Sequence, residues 1–102
     1  MKNDIVGDII NKRKLQKIKK KLQKLRLRPN NIRSVELASL AKSLKRRLFD
    51  RGKEPTYVSD LLPRSRPISI PNHPGTMAKG TALNILDQLE QDIFEIEESN
   101  KE

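Results

Sequence analysis

Apolar residues recur at helical spacing near both ends of the chain and alternate with polar ones in between, a pattern that predicts helices flanking a few strands. In residues 10–26, Leu15, Ile18, Leu22 and Leu25 draw a narrow apolar stripe along an otherwise basic helix, and Ile5, Val6, Ile9 and Ile10 extend it toward the N-terminus. Pro29-Asn30-Asn31 ends that segment and puts a boundary at residues 28–33. A second helix carries Leu37, Leu40, Ala41 and Leu44 on one face, with Ser34 as its expected cap and an end near Lys45. Three β-prone runs follow: an extended stretch from Leu48 and Phe49 to Gly52, then Thr56-Tyr57-Val58, then Arg66 to Ile70. In the last run Ile68 and Ile70 face one way and Ser69 the other, while Pro67 and Pro71, which have no backbone donor, keep the strand short or at an edge. After His73-Pro74-Gly75 the chain turns, and Ala82, Ile85, Leu86, Leu89, Ile93 and Ile96 predict a final helix.

Sequential short strands pair most simply as an antiparallel meander with both flanking helices on one face. The expected fold is α+β: a two-layer α-β-β-β-α domain over residues 29–98, with a basic amphipathic helix or arm over 1–28 and a tail at 99–102. A chain of 102 residues has room for one small domain and one appendage. Only Phe49, Tyr57 and Phe94 are aromatic, so the core is modest. There is no cysteine and one histidine, which excludes a disulfide framework, a thiolate metal site and a multi-histidine metal site within one chain. No metal or other cofactor is expected. The missing cysteine suits a reducing cytosol, and with no apolar run of membrane-spanning length and no secretory block the expectation is a cytoplasmic protein.

Charge changes the picture more than composition does. The whole net charge of +9 falls in residues 1–28, while the remainder is balanced and its last helix carries Asp87, Glu90, Asp92, Glu95, Glu97 and Glu98. A basic start and an acidic end suggest a polyanion partner, an intramolecular charge contact, or both. For the first helix, with Lys17, Lys19, Lys20, Lys21 and Lys24, two readings stand level: a solvated helix packing one stripe on the domain, or a nucleic-acid-binding arm. Attachment to an anionic membrane ranks third, because no Trp or Phe occupies the apolar face.

No nucleotide-binding loop, zinc-ligand pair or nucleophile elbow is present. Catalysis by this chain therefore calls for simple chemistry. RNA self-cleavage qualifies, since the 2′-OH is an internal nucleophile and the protein need only move protons and stabilise charge on phosphorus. Glu54 and His73 are the candidates for proton transfer, Arg51, Lys53 and Lys79 for balancing phosphate charge, and Tyr57 for stacking on an unpaired base. Each has a plain structural alternative: a surface carboxylate for Glu54, a turn hydrogen bond for His73, a core position for Tyr57. Lys79-Gly80-Thr81 likewise reads as a helix start capped by Thr81, or as a place for a phosphate.

At these residues the chain resembles the HicA family of toxin–antitoxin mRNA interferases. The resemblance rests on Gly52-Lys53-Glu54-Pro55-Thr56-Tyr57, Ile68-Ser69-Ile70-Pro71-Asn72-His73, and Lys79-Gly80-Thr81 with Ile85-Leu86, and covers about residues 30–93. It implies a double-stranded-RNA-binding-domain-like fold, ribosome-independent cleavage of mRNA, and a HicB-type antitoxin that covers the active face. The family's glycine-serine-histidine aligns with Gly52-Lys53-Glu54, so glutamate stands where the family has its catalytic histidine. A glutamate of ordinary pKa, about 4.3, accepts protons at neutral pH but donates them poorly. Two expectations follow. Either Glu54 and His73 divide the base and acid roles of an endoribonuclease, or the chain is a non-catalytic regulator that binds nucleic acid or an acidic protein. In both, Lys17, Lys20, Lys21 and Lys24 supply affinity for the polyanion.

Overall fold

The computed structural model describes residues 10–49, 55–62, 65–72 and 74–100. In chain order the elements are α1 (Lys12–Arg26), α2 (Ser34–Ser43), β1 (Arg46–Phe49), β2 (Thr56–Ser59), β3 (Ile68–Ser69) and α3 (Lys79–Asn100). Asn11 caps α1, its side chain accepting from the Lys14 N–H at 2.9 Å, and Lys24 and Arg26 in the last turn suit the negative end of the helix dipole. Leu15, Ile18, Leu22 and Leu25 are all buried, and they belong to the same core as Leu37 and Leu40 of α2 and Leu86, Leu89 and Ile93 of α3. The expected extension of the stripe through Ile5, Val6 and Ile9 lies outside the described residues.

Ser34 is not the cap of α2. It is the first helical residue, and Arg33 stands at the cap position without a side-chain bond to the helix. Glu36 instead reaches back to accept the Arg33 N–H at 3.0 Å, the glutamate half of a capping box. Ser43 ends the helix, Leu44 caps it, and Lys45 takes a left-handed conformation with φ 68°. That residue turns the chain directly into β1, so the first strand starts earlier than Leu48 and the part of the expected run reaching Gly52 lies outside the described residues.

The strands form an antiparallel sheet in the order β1-β2-β3, with Leu48 opposite Tyr57 and Tyr57 opposite Ile68. Tyr57 and Ile68 are buried in the core while Ser69 is exposed, so one face of the sheet is covered. The third strand is only Ile68–Ser69, between prolines that cannot extend the ladder. A bridge between Arg33 and Thr76, with the Met77 N–H bonded to the Ile32 carbonyl at 2.8 Å, ties the start of α3 to the start of α2. α3 begins at Lys79, which puts Thr81 inside the first turn rather than at the cap. No helix among the described residues is long and apolar enough to cross a membrane.

Candidate nucleic-acid interface

α1 and α3 run antiparallel, as their contacts show: Asn100 Nδ2 donates to the Ile10 carbonyl, Lys19 pairs with Glu97, and Arg26 pairs with Asp87 and Glu90. The Lys19 pair is 2.8 Å long and the Arg26 pairs are 2.8 and 2.5 Å. Burial pulls the Arg26 guanidinium down, but its hydrogen bonds to Asp87 and Glu90 outweigh that and hold it above its ordinary value. The acidic helix therefore meets only one flank of the basic one. Burying the stripe at 15, 18, 22 and 25 turns the lysines between those positions outward by geometry alone. Lys17, Lys20, Lys21 and Lys24 are exposed and, among the described residues, none is ion-paired.

The other flank of α1 faces α2 across a groove. Its two adjoining hollows, of about 540 and 370 Å³, share Val35, Ser39 and Ser43 as floor. Lys14, Lys42 and Lys45 line the first, and Lys21, Lys24 and Arg28 line the second. Glu36 is the one carboxylate on this lining, and it is engaged by Arg28 at 2.6 Å. That hydrogen bond, with help from the Arg33 N–H, holds the Glu36 carboxyl below its ordinary range and raises Arg28. Sequence reading missed Lys14, Lys42 and Lys45. Lys14 was legible as one more exposed lysine of the first helix, but Lys42 and Lys45 join it only because α2 packs beside α1.

Of the other candidates, Tyr57 is 7% exposed and sits in the core, so its ring offers no stacking surface. Lys79 is exposed in the first turn of α3 and does not line the groove. Arg51, Lys53, Glu54 and His73 lie outside the described residues. The Ile70 N–H donates to the Pro55 carbonyl at 3.1 Å, which ties the segment before β2 to the end of β3.

A second polar cluster is structural. Arg46 of β1 and Asp92 of α3 form a bidentate pair at 2.6 and 3.0 Å, with side chains 1% and 2% exposed. The remaining guanidinium N–H groups reach the Tyr57 and Arg66 carbonyls and Ser65 Oγ, and Ser65 in turn donates to Asp92. All five donors of Arg46 are thus used, as a buried guanidinium requires. Asp92 was detectable as an acid on the apolar stripe of the final helix; its partner was not.

No family model matches the chain, and no curated protein or solved structure matches it.

Proposed function

We propose that this is a HicA-like RNA-binding protein built on a double-stranded-RNA-binding-domain-like fold, with the exposed lysines of α1 as its electrostatic contact to RNA. One observation carries the reading: Glu97, Asp87, Glu90 and Glu36 pair with Lys19, Arg26 and Arg28 on the flanks of α1, while Lys17, Lys20, Lys21 and Lys24 face solvent with no ion-pair partner among the described residues. A helix that spends its apolar stripe on the core and its cations on solvent suits a polyanion better than a membrane, which would need that stripe. The order helix, three antiparallel strands, helix after residue 28 supports the fold assignment.

Glu54 and His73 are proposed as the acid–base groups of a metal-independent mRNA interferase, with Arg51, Lys53 and Lys79 near phosphate, and a HicB-type protein as partner. The glutamate in the family's histidine position favours a second reading, a regulator that binds without turnover. Labelled mRNA incubated with the protein in EDTA separates the two. Cleavage lost in both Glu54→Gln and His73→Ala supports the enzyme; tight binding with intact RNA leaves the regulator. RNA binding itself is tested by salt titration of wild type against a Lys17, Lys20, Lys21 and Lys24 to Gln variant. The slope of log K against log salt is expected to fall by about 0.7–0.9 for each phosphate contact removed, and an unchanged slope would overturn the role given to α1.

A further inference from the structure

We infer that β1 is an interaction edge and that its partner is β1 of a second copy of this chain. The inference rests on the sheet and does not depend on the RNA-binding reading. β1 is an outer strand, and among the described residues none pairs with its far side. A free edge is a row of unpaired backbone donors and acceptors, which proteins guard with prolines, charged side chains or very short strands. The opposite edge is guarded in this way: β3 has two residues and stands between Pro67 and Pro71. β1 has four residues and no proline, and its exposed charge, Arg47, is turned back toward β2, where it meets Asp60 at 2.6 Å.

Register shows what this edge leaves open. Leu48 stands opposite Tyr57 and Tyr57 opposite Ile68, so the three share the face that carries the core. Tyr57 and Ile68 are 7% and 1% exposed, whereas Leu48 is 46% exposed. The helical layer stops short of the outer strand, and a core-side leucine is left uncovered beside the free backbone edge. On the other face Phe49 is 37% exposed, with the Arg47 guanidinium 5.8 Å from its ring centroid.

A second copy fits because the strand is complementary to itself. In an antiparallel pair about a two-fold axis normal to the sheet, the core faces stay on one side and each residue meets a residue of its own face. Two such registers are centred inside β1. With Arg47 opposite its own copy, two guanidinium groups meet, which is unfavourable. With Leu48 opposite its own copy, the two uncovered leucines shield each other, and on the outer face each Arg47 stands opposite the partner's Phe49, a cation and a ring that already attract within one chain. The two sheets then continue as one, by strand addition, with both helical layers on the same side.

Sedimentation of the full chain from about 10 µM to about 1 mM should show the mass rising toward a dimer, since so short a contact lies at the weak end of specific interfaces. Leu48→Lys, which puts a charge on the open edge, should stay monomeric over that range and melt as dilute wild type does. The chain has no cysteine, so Leu48→Cys introduces a single thiol and keeps an apolar side chain. In the register above, two such thiols face each other across a Cα separation of about 4.5–5.5 Å, which a disulfide spans. Mild oxidation with diamide should cross-link this variant about tenfold faster than Ser69→Cys, exposed on the guarded edge. Equal cross-linking of the two, or a Leu48→Lys variant that still dimerises, would overturn the pairing by assigning the dimer to another surface. A chain that stays monomeric throughout would overturn it as well, and uptake of an extended strand by that monomer would give the edge to a different protein.

Discussion

Arg46 and Asp92 show at the scale of single residues how a small core tolerates charge. A buried ion pair gives back its desolvation cost only when geometry and hydrogen bonding are complete, and here every guanidinium donor has an acceptor. Removing one partner leaves the other charged and buried. Asp92→Ala is therefore expected to destabilise the fold by about 3–5 kcal/mol, whereas replacing both by apolar residues, Arg46→Met with Asp92→Leu, should cost much less. Urea unfolding measures both, and a single variant no worse than the double would show that the pair is not buried as described. The individual apolar positions were legible from period alone, because burial of Leu37 or Leu89 follows from its place on a stripe. The pairing of residues 46 and 92 was not, since nothing local in a strand arginine names a helix aspartate 46 positions away.

Among the elements, α2 depends on an ionised carboxylate at its first turn. Glu36 accepts from the Arg33 N–H and from Arg28, and these bonds lower its pKa. A group with a depressed folded-state pKa contributes stability that is fully present above its unfolded value and is lost as pH falls through the folded one. The advantage of wild type over Glu36→Gln in thermal unfolding should thus hold at pH 7 and shrink below about pH 4.3. A difference that stays constant into acid would assign the effect to packing instead. The existence and order of the elements were readable from periodicity, and the shortness of β3 from its prolines. Their ends were less so: Ser34 looked like a cap by residue type, but Arg33 takes the position and Glu36 makes the bond. The start of β1 depended on the backbone of Lys45, which sequence does not announce when the residue is not glycine.

For the whole molecule, α1 shares one core with α2 and α3, and its charges divide accordingly between a flank paired with α3 and a surface left to solvent. Deleting residues 1–28 removes Leu15, Ile18, Leu22 and Leu25 and uncovers the apolar residues that meet them. Since each such side chain lost from a core costs about 2–5 kcal/mol, more than a small domain's whole stability is at stake, and the truncated chain is expected to be unfolded by circular dichroism. A truncation that melts cooperatively near wild type would refute the shared core. For this reason the role of the lysines is tested by substitution and not by deletion.

The sequence by itself determined the three helical stripes, the short strands and their antiparallel order, and the concentration of charge in the first helix, because these are set by spacing along the chain. Only the tertiary structure showed that the stripe of the first helix packs on the domain while the lysines opposite it remain exposed. It also decided which cations are neutralised and which line the groove with α2. Both outcomes depend on which helices lie side by side, and that is fixed by the joint burial of stripes from distant segments, a property no window of the chain contains.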